Sequence, residues 1–327
     1  MGDPTMTTRD GFPDVRAMVE EILRSNPGAS AEEINRQLAR RMNAYNAAAQ
    51  ADLGGLSPDR MHQLLFGDWI GSGALRLNDR LSLDELADAA LFADARTLLD
   101  YVDTEGPVKE TAARNLPRAA VAALLPRLRA PRSWQASYTD EGMCVRNEQD
   151  VLWLWPLRHC LLFPGLLMRR KGLRISRRGR ELLEDDRAGE LYALLFHTLF
   201  RTLNLALLSR DDRHAGLQST VAYTFYKLRS EAREWTSSEA LAESAWLESA
   251  KDPRTEWEAW SDADHRHYTL RHRVLDPLVE FGLLDDRTVP TGDRLMEKVE
   301  FRVTPLFDRF LRFRFEGEAG RDLFLMR

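Results

Sequence analysis

Apolar residues recur every three or four positions along most of the chain, and this spacing predicts helices. The first clear helix start is Ser30–Glu33, a capping box that precedes the apolar-periodic segment 34–48. Ser57 followed by Pro58 gives the next start, because serine is a preferred N-cap and proline is favoured at the first helical position. Residues 1–75 are therefore predicted to form a helical N-terminal region.

Residues 76–188 contain an ordered series of predicted elements. The pattern gives a helix from the Ser82–Glu85 capping box, a second helix capped by Asn115, a strongly apolar third helix over about 150–163, and two short strands around Gly172. A short extended piece, GPVKE, lies between the first two helices. Three helices followed by a ribbon are typical of a winged helix-turn-helix, in which the ribbon is the wing.

The same order of elements returns over residues 217–327. The pattern predicts a first helix over STVAYTFYKLRSEA, a second helix capped by Thr236–Glu239, a third helix over about 269–281, and two strands around Gly292. An apolar helical connector over 189–216 separates the two series. This second series is therefore predicted to be another winged-helix-like unit.

Gly-Leu-Leu ends the third predicted helix in both series, at Gly165 and again at Gly282. The recurrence is one of pattern rather than identity, and it predicts an internal duplication. The predicted fold class is mainly α: a helical N-terminal region followed by two winged helix-turn-helix units with short β-ribbons.

Several segments resemble a group of uncharacterised bacterial proteins that occur beside plasmid ORF-three-like domains or a SEC-C metal motif. The segments that carry the resemblance are LGGLSPDRMHQLLFGDW at 53–69, GPVKETAARNLPR at 106–118, GLLMRRKGLRISRRGRELL at 165–183, ELYALLFHTLFRTLN at 190–204 and LQSTVAYTFYKL at 217–228. The resemblance implies a helical protein that contains winged helices, and it implies no particular activity. Because the cysteine-rich SEC-C motif is missing, no zinc is carried over to this chain.

Composition and charge narrow the classes of function. The net charge is −5, so any contact with nucleic acid has to be local. Cys144 and Cys160 lie outside any metal-ligand spacing and are expected to be reduced thiols. No apolar run is long enough to span a membrane and the N-terminus has no secretory signal, so we expect a cytoplasmic protein without a membrane partner.

Catalytic signatures are missing from the sequence. No nucleophile elbow, zinc-protease helix, Walker loop or dinucleotide-binding glycine pattern is present, so we expect no enzyme and no cofactor. The one histidine-rich segment, with His265, His267 and His272 near Asp262 and Asp264, leaves a metal-dependent enzyme as a weaker alternative. Surface histidines at a polar helix start are the simpler interpretation, and no metal site is predicted.

Basic residues concentrate in two places. Residues 161–183 carry seven basic side chains against one acid, and the start of the third helix of the second unit is also rich in arginine. Because a wing usually meets phosphate while the third helix enters a groove, we predict binding of double-stranded DNA, in regulation or in mobile-element or defence biology. The candidate contacts are Arg169, Arg170, Lys171, Arg174, Arg177, Arg178, Arg266, Arg271 and Arg273.

Neither unit shows both halves of this pattern. The third helix of the first unit is too apolar to read bases, and the second wing is acidic. A protein-docking scaffold therefore remains the alternative. Residues 229–264 carry ten acids against four bases together with four tryptophans, of which Trp257 and Trp260 are the candidate anchors for a protein partner. Amphipathic helices that bury their tryptophans would produce the same pattern.

Overall fold

The computed structural model describes residues 15–316 apart from 130–146, 152, 210, 252–260 and 291–297. The protein is mainly helical with short antiparallel sheets, as predicted. Backbone contacts divide the chain into a smaller unit, residues up to Gly67 with those from Arg314 onward, and a larger unit, Asp68–Phe313. Within the part of the chain that is described, no helix combines the length and apolarity needed to cross a membrane.

The smaller unit contains the two helices predicted after Ser30 and Ser57, and one helix before them that no capping signal predicted. They are α1 Val15–Ser25, α2 Ala31–Ala47 and α3 Pro58–Phe66. Both predicted N-caps are present: the Ser30 side chain accepts from the Glu33 amide at 3.2 Å, and the Ser57 side chain accepts from the Arg60 amide at 3.3 Å. The caps satisfy amides that have no partner inside the helix, which fixes where these helices begin.

The other helices and strands of the described residues belong to the larger unit. Its helices are α4 Ala90–Glu105, α5 Arg118–Leu124, α6 Leu154–Leu162, α7 Arg177–Glu181, α8 Ala188–His197, α9 Ala206–Ser209, α10 Gly216–Glu231, α11 Ser238–Ser244, α12 Asp262–Leu270, α13 Asp276–Glu280 and α14 Pro305–Phe310. Its strands are β1 Leu75–Leu77, β2 Leu167–Arg169, β3 Leu173–Ile175, β4 Thr236–Ser237, β5 Leu284–Val289, β6 Lys298–Val303 and β7 Leu311–Phe313. β1 pairs antiparallel with β7, so the first and last strands of the unit lie side by side.

Two predicted helix starts fall at different residues in the structure. Ser82 and Glu85 do form the reciprocal capping box, but it opens a single 3-10 turn, and α4 begins later, at Ala90. Asn115 does not cap α5, which starts after Pro117. Proline restricts the residue before it to extended backbone, so the helix cannot include Leu116.

Two starts in the second series also differ from the prediction. The cap of α11 is Ser237, whose side chain accepts from the Ala240 amide at 3.3 Å, while Thr236 pairs with Phe301 in the sheet. The third helix begins seven residues earlier than predicted, where Ser261 and Asp264 form a capping box. A π-helical turn, Arg271–Leu275, then joins α12 to α13, so the helix continues to Glu280.

The predicted order of three helices and a ribbon is present in both series. The first ribbon is β2 and β3, and the second ribbon is β5 and β6. A short extended piece follows the first helix in each series and pairs antiparallel with the last strand: Val108 bridges to Leu173, and β4 pairs with β6. The two series therefore share strand connectivity as well as helix order.

The two Gly-Leu-Leu sites adopt the same helix-ending geometry. Gly165 and Gly282 have φ of 75° and 71°, a left-handed conformation that glycine adopts without strain. The next amide bonds back five residues in each case, from Leu166 to Leu161 at 2.9 Å and from Leu283 to Leu278 at 2.8 Å. This is the Schellman C-cap, so the sequence repeat corresponds to one local structure used twice.

Helix α8 supplies the aromatic centre of the larger unit. The Tyr192 ring lies 6.0 Å from Phe92 of the first series and 5.4 Å from Phe281 of the second, centroid to centroid. One turn later, the Phe196 ring lies 5.3 Å from Phe225 and 5.2 Å from Phe281. Aromatic side chains bury large apolar areas, and their edge-to-face contacts add to the stability of the core, so α8 holds both series in one core.

The hydroxyl of Tyr192 gives a test of this core. It donates to the Phe281 carbonyl at 2.6 Å, and both groups are buried. Tyr192→Phe leaves that carbonyl without its donor, and we expect the free energy of unfolding to fall by about 1–3 kcal/mol in urea denaturation. Tyr101→Phe on α4, at a half-buried position, is the control and should cost less than about 0.5 kcal/mol. Equal losses in the two variants would contradict this role.

Candidate nucleic-acid interface

The first ribbon has one buried face and one solvent face. Leu167 pairs with Ile175, and Leu173 lies on the same buried face. Met168 and Arg174 pair on the opposite face, where both are exposed. Because side chains alternate along a strand, Arg169 lies on the same side of the ribbon as Leu167 and Leu173, although Arg169 itself is exposed.

The turn of the first ribbon projects a group of cations. Gly172 adopts φ of 113°, and a Cβ there would lie 3.1 Å from the Val108 carbonyl oxygen, so glycine is required at this turn. Arg170 and Lys171 are exposed beside it, and the Nε of Arg174 donates to the Arg170 carbonyl at 3.2 Å. We call Arg170, Lys171 and Arg174 the ribbon cations. None of them forms a salt bridge with any residue the structure describes.

Arg169 is committed to an ion pair instead. Its Nε lies 3.0 Å from Glu110, the last residue of the extended piece GPVKE, whose Val108 bridges to the ribbon. The same Glu110 carboxylate accepts from Arg158 of α6 at 3.0 Å. Arg169 therefore attaches the ribbon to the body of the unit, and its charge is neutralised there.

Arg158 forms a fully buried ion pair beneath the ribbon. Its Nε and one terminal nitrogen bind both oxygens of Glu148, at 2.7 and 3.1 Å, and neither side chain has exposed surface. Glu148 also accepts from the Leu116 amide at 2.6 Å. These bonds connect the third helix to the segment before the second helix, and Glu110 extends the connection to the ribbon.

The helix after the first ribbon carries further arginines, with mixed surroundings. Arg177 pairs with Glu181 at 2.8 Å but is 93% exposed, so this i,i+4 pair is weak and competes with water. Arg178 is exposed and donates to the Pro164 carbonyl at 3.4 Å. Arg180 pairs with Asp103 at 2.8 Å. Of these, Arg178 is the one without a salt bridge to the described residues.

The three arginines predicted in the second unit are all engaged within the protein. Arg266 pairs with Glu243 at 2.9 Å, and Arg271 lies 3.5 Å from Asp276. Arg273 is 2% exposed, and its guanidinium donates to the Ser209 hydroxyl at 2.8 Å and to the carbonyls of Asp211 and His214. A guanidinium buried in this way is inaccessible to phosphate, so Arg273 stabilises the fold and is no part of the surface considered below.

The second ribbon differs from the first in its charges. The two arginines on its strands pair across the ribbon, Arg287 with Glu300 at 2.6 Å and Arg302 with Asp285 at 3.2 Å. Both guanidinium groups also lie over the Trp235 ring, at 4.5 and 4.6 Å from its centroid. Acids neutralise these two cations and cation–π contacts hold them in place, whereas Lys298 at the start of β6 is exposed.

The three histidines of the histidine-rich segment each bond to a different partner. Arg213 donates to Nε2 of His265 at 2.8 Å, His267 bonds to the Ser238 hydroxyl at 2.8 Å, and His272 bonds to Asp276 at 2.8 Å. Among the described residues, no group of three or more His, Cys, Asp or Glu side chains is placed so that it could hold a metal ion.

The predicted docking tryptophans, Trp257 and Trp260, lie outside the described residues. Two other tryptophans of the acidic insert are described. Trp246 is 2% exposed and stacks edge-on against His214 at 5.0 Å, and Trp235 lies under the two arginines of the second ribbon. These two tryptophans therefore pack within the larger unit.

Comparison with known proteins gave one match. Residues 87–188 match the family model of the Y4jL N-terminal domain, about a third of the chain. No curated protein and no solved structure matched. The match includes the resemblance segments at 106–118 and 165–183, and it leaves out those at 53–69, 190–204 and 217–228. It contains the first ribbon and its buried ion pairs, and its description states neither an activity nor a ligand.

Two features of this region were missed in the sequence. Lys109 sits beside Val108 in the extended piece and is exposed, which adds a cation near β3. The second missed feature is the buried pair of Arg158 and Glu148. The sequence did hold a signal for it, because a lone arginine inside the apolar segment LWLWPLRHCLL needs a buried partner for its charge. Its partner lies ten residues away in a different element, which no local pattern shows.

Removing Arg158 tests the buried pair. Arg158→Met leaves the Glu148 carboxylate buried without its ion-pair partner, and we expect the free energy of unfolding to fall by about 3–5 kcal/mol in urea denaturation. Arg177→Met removes an exposed i,i+4 pair and should cost about 0.3–0.5 kcal/mol. Adding Glu148→Gln to Arg158→Met removes the stranded charge and should recover part of the loss. A loss no larger than that of the Arg177 variant would contradict the buried pair.

His265 predicts a pH dependence of stability. Burial, and then the positive charge of Arg213, lower the pKa of His265 below its ordinary value of 6.5. The unfolded chain therefore binds a proton at this histidine more readily than the folded protein does, so His265 destabilises the fold as pH falls from about 7 to about 5, by at most ~1.4 kcal/mol per pH unit. His265→Gln keeps an acceptor for Arg213 and should give a shallower fall. Parallel curves for wild type and variant over the whole range would contradict the assignment.

Proposed function

We propose that this protein binds nucleic acid through the first ribbon, which acts as the wing of a winged helix-turn-helix unit. The order of elements supports the winged-helix interpretation, since both series have a helix, a short strand, two helices and a ribbon whose last strand pairs with the short strand. The family match supports treating the first series as a domain, because it ends at residue 188, where the first unit was predicted to end.

The observation that carries the proposal is the set of ribbon cations. In a chain of net charge −5, most of the arginines described above pair with acids, whereas Arg170, Lys171 and Arg174 are exposed at one turn without such a pair among the described residues. Exposed cations on a projecting turn can displace the counterions of several phosphates, which is the main source of nucleic-acid affinity.

The charge distribution assigns different roles to the two units. Arg266 and Arg271 would have to leave their acidic partners to reach a phosphate, and Arg273 is buried. In the second ribbon, Arg287 and Arg302 are paired with Glu300 and Asp285. Phosphate contact is therefore proposed for the first unit, and the second unit is proposed to pack against it. We also propose that the protein acts in regulation or in mobile-element or defence biology.

The proposal is tested by binding to a labelled random-sequence duplex at salt concentrations from about 50 to about 200 mM. Three contacted phosphates predict that log affinity falls with log salt at a slope of roughly −2 to −3. The triple variant Arg170→Ala/Lys171→Ala/Arg174→Ala should lose most of the binding at low salt and flatten the slope.

Arg266→Ala/Arg271→Ala is the matched control, since it also removes arginine charge but from the paired residues of the second unit. It should leave both the affinity and the slope nearly unchanged. Salt-insensitive binding, or equal losses in the two variants, would contradict phosphate contact at the first ribbon and would favour the protein-docking alternative.

A further inference from the structure

Helix α6 carries a row of aromatic rings on the side that is not packed into the core. Trp155, His159 and Phe163 follow one another at intervals of four residues, so they lie along one side of the helix. The ring centroids of Trp155 and His159 are 4.0 Å apart at an interplanar angle of 30°, and those of His159 and Phe163 are 5.9 Å apart. We call these three residues the aromatic row. Phe163 is 54% exposed, and the other two are half-buried.

The middle ring of the row is held in one orientation. Nδ1 of His159 lies 2.8 Å from the Trp155 carbonyl oxygen, so this nitrogen carries the hydrogen and donates. Burial is the main cause that lowers the pKa of His159, and the charges of Arg158 and Arg169 lower it further. The lowered pKa favours the uncharged ring, and so an uncharged π surface along the row.

This helix occupies the position of a groove-reading helix, yet its composition does not suit a duplex groove. Its other side buries Leu154, Leu157, Leu161 and the paired Arg158. Base edges in the major groove are read by side chains that donate or accept in fixed geometry, such as arginine, asparagine and glutamine. Aromatic rings instead stack on base faces, which are accessible when bases are unpaired.

The row and the ribbon cations belong to neighbouring elements. The chain passes from Phe163 through the Gly165 cap directly into β2, and α6 packs against that strand. Arg169 and Arg158, the residue before His159, share the Glu110 carboxylate, so the base of the ribbon lies near the middle of this helix. Met168, 42% exposed, adds apolar surface on the solvent face of the ribbon.

We propose that the first unit binds single-stranded nucleic acid, with phosphates on the ribbon cations and unpaired bases stacked on the aromatic row through Phe163. This inference rests on the proposed function and specifies its ligand. Charge complementarity favours this ligand over a protein, because the aromatic surface adjoins exposed cations in an otherwise acidic chain, and a single strand offers both phosphate charge and π faces.

The test compares a labelled mixed-sequence oligonucleotide of about 20 nucleotides with the duplex of the same sequence, by fluorescence anisotropy across salt. We expect the single strand to bind more tightly than the duplex. Phe163→Ala should weaken single-strand binding roughly fivefold or more, while the salt slope stays the same because no charge is removed. Phe163→Tyr keeps a ring and should retain the affinity.

Leu207→Ala is the control, since it removes a 50% exposed apolar side chain from another helix and should change nothing. If neither form binds in a salt-dependent way, both this inference and the proposed function fail. If the duplex binds as tightly as the single strand, or if Phe163→Ala leaves single-strand affinity unchanged, this inference alone fails, and the aromatic row is left to a protein partner.

Discussion

The first ribbon depends on one buried charge. Arg158 has no exposed surface, so it has to be neutralised inside the protein, and Glu148 and Glu110 satisfy its guanidinium from two other elements. Because Glu110 also binds Arg169, the requirement to neutralise Arg158 fixes the ribbon to the third helix. The ribbon cations can therefore project into solvent from a rigid base, and the aromatic row lies on the helix that carries the buried charge.

The two series show how one connectivity can be put to different uses. Both end their third helix with the same glycine geometry, and both pair a short first strand with the last strand. The first leaves cations open at its turn, whereas the second neutralises its arginines with Asp285 and Glu300 and orders them over Trp235. The two series therefore differ in where their charged side chains lie and not in the connectivity of their backbones.

Local signals in the sequence were sufficient for most elements and insufficient for the partners of their side chains. Ser30, Ser57 and the two Gly-Leu-Leu sites act within a few residues, so their patterns predicted helix ends correctly. The cap expected at Asn115 failed because Pro117 delays the helix, a competing local rule. Arg273 looked like a surface cation in HRHYTLRHR, but its acceptors lie about sixty residues earlier, and only the folded chain shows that it is buried.

The antiparallel pairing of β1 with β7 has a consequence for how the protein folds during synthesis. Leu77 is opposite Leu311, so the first strand of the larger unit has no partner until nearly the whole unit has left the ribosome. Contacts between residues so distant in sequence form slowly, because a long chain must be closed before they stabilise anything. The segments between them can assemble earlier, and this last pairing closes the unit.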